Sequence, residues 1–375
     1  MKLRFTLLAF GFCTTLLQAQ PTYHLFVGTY TKNTSSRGIY IYRFSAATGL
    51  FDSIGVAEAI NPSYLALNNK GNRLYAVGET ASDRSGHVSA FAFNKKTGSL
   101  QRMNTAETGG DNPCYVSVTR RGQWLAVANY SGGSLSVFKL LPNGGIDTAS
   151  RTVQQYQGSS INKGRQEKPH IHTAMFDGRE KNLISADLGT DLIRIKPVKT
   201  NSPTLLQPGG VELRMEAGSG PRHVELHPKL PIIYVVEELT GKVSVHRMQG
   251  GGNSLLQRLE ADTITPAKTD KGSADIHLSP DAKFLYVSNR AQAHNLTIYK
   301  VNPKTGLLTT VGYQSTLGKN PRNFAIEPSG KYLLVANQGT NNVVVFLRNQ
   351  DTGLLTATNS TLSVPSPVCL KLLKE

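Results

Sequence analysis

The sequence predicts an all-β fold, a seven-bladed β-propeller with four-stranded blades, and three observations carry that prediction. Short apolar runs of strand length recur about every 50 residues, with little helical periodicity and 35 glycines among 375 residues. Twelve residues ahead of each such run, in six complete cases, a second apolar run begins. One further pair is split between the two ends of the chain. Repetition with a shared terminal unit is the mark of a ring of blades around a channel.

The elements follow in order. The second strands align as LFVGTY from Leu25, LYAVGE from Leu74, LAVANY from Leu125, LISADL from Leu183, IYVVEE from Ile233, LYVSNR from Leu285 and LLVANQ from Leu333. Counting back twelve places the first strands at Pro62, Pro113, Ile171, Pro221, Ser273 and Pro321. The first unit has no room for its own first strand. SPVCLKL around Pro367 matches NPSYLAL around Pro62, so the C-terminal strand is expected to join the N-terminal blade and close the ring. Third strands read from Gly38, Gly86, Ser134, Lys242, Leu296 and Asn342, and KTGSL, KTGLL and DTGLL mark hairpins to outer strands. The propeller is expected to occupy residues 22–375 as a single domain.

Residues 1–19 are set apart from the fold. Lys2 and Arg4 precede an apolar stretch from Phe5 to Leu17, then Gln18-Ala19-Gln20, the layout of a secretory signal peptide. That stretch is short for a membrane span, so the mature protein is expected to be periplasmic or secreted, without stable membrane insertion. The net charge is +16. Its basic residues are scattered and do not cluster with stacking aromatics, which argues against nucleic acid and for a small anionic partner. Cys114 and Cys369 fall inside strands and are expected as buried free thiols. A monomer is expected.

The chemistry sits where strand ends meet. In a blade the first strand runs down from one face and the second climbs back, so the start of one and the end of the other share a rim. First-strand starts carry His172, Arg222 and Arg322, and second-strand ends carry Glu238, Arg290 and Gln338, with Asp187 and Glu237 one residue earlier. Strand alternation turns His223 away from Arg222. Guanidinium forks match carboxylate or phosphate, His172 or Glu238 can take a proton from water, and a developing oxyanion suits arginine. No zinc-ligand spacing or nucleophile elbow is present, so no metal and no cofactor are expected.

The motifs FVGTYT, RQEKPHIH, DLGTD, GPRHVELHP, VVEEL, LSPDAKFLYVSNR and NPRNFAIEPSGKYLLVANQ, in this order from about Tyr23 onward, resemble the seven-bladed lactonase family. That family holds propeller-type 6-phosphogluconolactonases and fungal carboxy-muconate lactonising cycloisomerases. The resemblance implies His172, Arg222, Glu238 and Arg290 as the catalytic set, with Asp187, His223, Glu237, Arg322 and Gln338 as candidate substrate contacts. One departure is Glu237, where the family usually has Asn. A second is the export signal, since phosphogluconolactone is cytoplasmic. The expected function is hydrolysis of a sugar-acid lactone, most like 6-phosphogluconolactone. Muconate-type cycloisomerisation and a non-catalytic ligand-binding or scaffold propeller are the alternatives.

Overall fold

Each repeat folds into one four-stranded antiparallel sheet, and seven such sheets stand in a ring. The computed structural model describes residues 21–81, 86–248, 254–266 and 269–375; the predicted signal peptide over residues 1–19 lies outside the described residues. Blades 2 to 7 take their inner strands from Leu65–Leu67, Pro113–Val118, Ile171–Phe176, Pro221–Leu226, Ser273–Leu278 and Pro321–Ile326. Blade 1 takes its inner strand from Pro367–Lys374, which pairs with Thr22–Thr29 and sets Gly28 opposite Cys369. Glycine is required there, because a Cβ on residue 28 would stand 2.4 Å from the Pro62 carbonyl oxygen. Cys114 and Cys369 are both buried and free. Among the described residues no helix is long and apolar enough to cross a membrane.

Blade 2 departs from the expected start at Pro62. Its ladder begins only at Leu65, because Asn61 adopts φ 40° and its carbonyl accepts the Ser63 N–H, turning the chain first. The Asn61 side chain meanwhile accepts the backbone N–H groups of Thr31 and Lys32 at 2.8 and 3.0 Å, tying blade 2 to blade 1.

The core lies between blades. The strands Trp124–Asn129, Ile232–Glu237, Phe284–Asn289 and Tyr332–Asn337 are buried at every residue, since each is covered on both faces by neighbouring sheets. Val235 of blade 5 packs with Ile184 of blade 4, and Leu285 of blade 6 with Tyr234 of blade 5. Each such aliphatic or aromatic side chain stabilises the ring by about 1.5–3 kcal/mol.

The register of the inner strands positions the chemistry. Pro221 pairs with Glu237, and the next ladder pair is Val224 with Val235, so Arg222 and His223 fall outside the ladder. The same irregularity frees His172 between Ile171 and Thr173, Arg322 between Pro321 and Asn323, and Cys114 between Pro113 and Tyr115. A bulge bends its strand and re-aims the extra residue. Here it leaves Cys114, His172, Arg222 and Arg322 lining the channel.

Candidate active site at the channel mouth

A cavity of about 540 Å³ opens at the end of the channel where inner strands begin, lined by His172, Glu238, Arg290, Arg322 and Gln338. Glu238 is its centre. The strand Ile232–Glu237 ends one residue earlier, which releases the Glu238 side chain toward the channel. Its Oε2 lies 2.9 Å from Arg222 Nε and 3.1 Å from Arg290 Nη2, and its Oε1 lies 2.6 Å from Arg165 Nη2. Arg222 is only 1% exposed and supports the carboxylate from beneath. Its chain entry is set by Gly220, at φ +63°, whose N–H donates to Asp191 Oδ1 at 2.8 Å.

Arg290 is anchored by donating Nε to the Gly272 carbonyl at 2.7 Å. Arg322 lies over the Tyr30 ring, 5.3 Å from its centroid, and makes no ion pair among the described residues. It is the guanidinium at the mouth with charge to spare. Tyr30 itself donates to Glu79 Oε2 at 2.8 Å.

Electrostatics follow from this crowd. Burial pushes the Glu238 carboxyl up, but Arg290, Arg222 and Arg165 outweigh it and hold it down at about 2. Burial, then Arg290 and Arg322, lower Arg222 to about 10, so it remains charged at neutral pH. Burial, with Arg222, His223 and Arg322 adding repulsion, drives His172 well below the usual imidazole value. Neutral His172 has Nδ1 3.6 Å from Cys114 Sγ. The Cys114 thiol is pushed up by burial and stays protonated, which excludes a thiolate nucleophile. With Cys114 donating to the Ile171 carbonyl at 3.6 Å, its sulfur can accept His172 Nδ1–H and leave Nε2 as the acceptor.

Under the mouth the channel is plugged. Alternation does not turn His223 away from Arg222 as the sequence suggested; the bulge keeps both on the channel side, with Arg222 Nη1 3.4 Å from His223 Nε2. His223 Nδ1 meets Asp275 Oδ1 at 2.7 Å, and His277 Nε2 meets Asp275 Oδ2 at 3.0 Å. Tyr64 and Tyr115 stack at 4.1 Å, both edge-on to His223. Burial opposes the charge on His277, but Asp275 and Glu225 lift it to about 10. Burial and Arg222 lower His223 to about 4. His223 is a buried element of the floor rather than a wall of the cavity.

Asp187 and Glu237 do not reach the cavity. Each is the last ladder residue of its strand, so its side chain points opposite to the residue that follows. Asp187 pairs with Arg194 at 2.7 Å, and Glu237 takes both ends of the Arg258 guanidinium and the Thr240 hydroxyl. Asn289 and Asn337 occupy the same position in blades 6 and 7 and tie their second strands to carbonyls of the preceding connection. In blades 4 and 5 an acid stands there instead and pairs with an arginine on a later strand of its own blade, Arg194 and Arg258. Neutralised in this way, Glu237 adds no free carboxylate beside Glu238.

Sequence reasoning missed Arg165 and Asp270, because both stand on connections between blades and outside the repeat alignment. The RQEKPHIH stretch was the available signal. A larger depression, about 940 Å³, lies among the turns at the far ends of blades 2 and 3, near Arg120 and Asn143, and shares no residue with the mouth. Among the described residues no group of three or more His, Cys, Asp or Glu side chains is placed to hold a metal.

The family model of the Lactonase, 7-bladed beta-propeller, matches residues 24–372. The chain belongs to this lactonase family. It is 36% identical over 335 residues to a 6-phosphogluconolactonase of Formosa agariphila, covering 88% of this chain and 94% of that protein. A 6-phosphogluconolactonase of Bacillus subtilis is 33% identical over 354 residues, 93% of this chain and 98% of that one. Among solved structures, the periplasmic gluconolactonase of Pseudomonas aeruginosa superposes with a TM-score of 0.85 at 32% identity, covering 94% and 99% of the two chains. In this lactonase chain RQEKPHIH, GPRHVELHP, VVEEL and LYVSNR supply Arg165, Arg222, Glu238 and Arg290, four side chains that meet in one cluster.

Proposed function

We propose that the chain is an exported lactonase that hydrolyses a sugar-acid lactone, most like 6-phosphogluconolactone, at the channel mouth. The observation that carries this reading is the unpaired Arg322 guanidinium beside Arg290, neutral His172 and buried Glu238 in one cavity. Such a site attracts an anionic or strongly polarised carbonyl ligand.

In the proposed mechanism Arg322 takes the anionic group, and Gln338 borders the same pocket. Arg290 faces the lactone carbonyl and stabilises the oxyanion as it forms. His172 accepts a proton from water as the water oxygen bonds to the carbonyl carbon. When the ring C–O bond breaks, the imidazolium returns that proton to the departing oxygen. The acid product then ionises and releases one proton. Glu238 is not the base in this scheme, because three guanidinia within ion-pair distance favour its charged form over the protonated one. It holds Arg222, Arg290 and Arg165 in register.

The N-terminal leader pattern, together with the periplasmic relative, supports a periplasmic or secreted location. A lactone panel followed by pH-stat on purified mature protein tests the function, since each turnover yields one titratable proton. Activity on none of the sugar lactones would overturn it. Product analysis after incubation with a muconate distinguishes cycloisomerisation, and saturable binding without turnover identifies a ligand-binding propeller.

A further inference from the structure

The mouth cavity is lined by three guanidinia, Arg165, Arg290 and Arg322, and three carboxylates, Glu79, Glu238 and Asp270, with a fourth guanidinium, Arg222, behind Glu238. One positive charge is left over, and it resides on Arg322. A single negative charge on a ligand satisfies that excess. A phosphate monoester carries close to two charges at neutral pH and three acceptor oxygens, so it calls for a second cation.

Of the remaining guanidinia only one can be released at small expense. Arg222 and Arg290 hold Glu238 inside the mouth. Arg165 also keeps Nη2 on Glu238 Oε1 at 2.6 Å, but its Nη1 goes to Asp270 at the lip, where the two side chains are 32% and 34% exposed and only that half of the guanidinium need be released. Ion pairs at that exposure are weak and exchange readily with water or an incoming anion.

The backbone behind Arg165 is fixed, so exchange requires the side chain alone to move. Gln166, the next residue, is fully buried. Its side-chain amide donates to the Leu188 carbonyl and to Asp191 Oδ1, both at 2.8 Å. Ser160 Oγ donates to the other Asp191 oxygen at 2.5 Å. This connection presents a guanidinium at the entrance from a rigid root.

We infer that Arg165 is a specificity-determining residue that trades Asp270 for the second charge of a phosphorylated sugar acid, while Arg322 takes the first. The inference rests on the lactonase reading for the identity of the ligand and deepens it by naming the substrate class. Phosphorylated lactones are recognised by the Arg322–Arg165 pair, and unphosphorylated ones use Arg322 or neither.

Calorimetric titration of the mature protein with 6-phosphogluconate and with gluconate tests this without relying on turnover. The wild-type protein is expected to prefer 6-phosphogluconate by at least about tenfold, the worth of one hydrogen-bonded charge. Arg165→Ala is expected to lose most of that preference, and Arg165→Lys to keep part of it, with thermal melts confirming that both fold. Asp270→Asn frees Arg165 and is expected to tighten 6-phosphogluconate binding. The inference is overturned by a preference that survives Arg165→Ala, by Asp270→Asn binding the phosphorylated acid more weakly, or by a wild-type protein that binds neither acid. A protein that shows the expected binding pattern yet hydrolyses no lactone keeps this inference and loses the enzymatic reading.

Discussion

Replacing Glu238 by Gln separates a charge-holding role from a proton-accepting one. The carboxylate pairs with Arg165, Arg222 and Arg290 at N–O distances of 2.6, 2.9 and 3.1 Å and is 6% exposed. Two routes estimate what it contributes. Its carboxyl falls from the ordinary 4.5 to about 2, which corresponds to about 3 kcal/mol in favour of the charged form. Breaking a buried ion pair by removing one partner costs about 3–5 kcal/mol. The two agree, so Glu238→Gln is expected to lower unfolding free energy by about that amount at pH 7 in urea titrations. A depressed carboxyl stabilises above its ordinary value and loses that contribution as pH falls through the folded one. The gap between variant and parent should close between about pH 4.5 and pH 2. Turnover should drop while the acidic limb of the pH–rate profile keeps its shape, because His172 remains the base. A variant as stable as the parent at pH 7 would refute the electrostatic argument. Loss of that limb would instead make Glu238 the proton acceptor.

Further predictions concern the neighbouring groups. His172→Gln should reduce turnover by about 10²–10⁴-fold, the usual worth of a general base, with an unchanged melt; pH-stat rates near the parent's would remove His172 from the mechanism. Arg290→Ala should cost at least about 2.7 kcal/mol of transition-state stabilisation, read from kcat/KM on the best lactone of the panel. Arg222→Ala should match or exceed that loss and also destabilise the fold, because it strips Glu238 of its partner from below. His277→Gln tests the floor. A raised imidazole stabilises fully below its ordinary 6.5 and loses that stabilisation as pH rises through about 10. The variant should therefore be most destabilised near pH 6 and approach the parent by pH 10.

The ring was legible because its signal is repetition. Seven aligned second strands and the twelve-residue interval fixed the blades and the shared terminal blade, and the structure adds to these only the late start at Leu65. The site was legible in part. Strand ends at His172, Glu238, Arg290, Arg322 and Gln338 could be placed at the mouth from topology alone, and the structure brings them to one cavity. Period-two alternation then misled at one point. It could not foresee the bulge that keeps Arg222 and His223 together, since a bulge depends on how two strands register and not on either one. Asp187 and Glu237 failed for the opposite reason: they share the rim with their successors, but alternation turns the last paired residue away from the channel. Arg165, on an irregular connection, has no periodic signature at all.

The strand Pro367–Lys374 has a temporal consequence. It is synthesised after every other strand of the ring, yet it is the innermost strand of blade 1 and completes the channel wall. Until it arrives, Thr22–Thr29 presents a bare edge with unsatisfied amides and carbonyls, the kind of surface that invites mispairing with other chains. Joining residues more than 340 positions apart, as in Tyr23 with Lys374, is entropically the slowest contact the molecule makes. Clipping this latch, or burdening it with a fused tag, would leave the arginines and Glu238 on an open arc with no common centre.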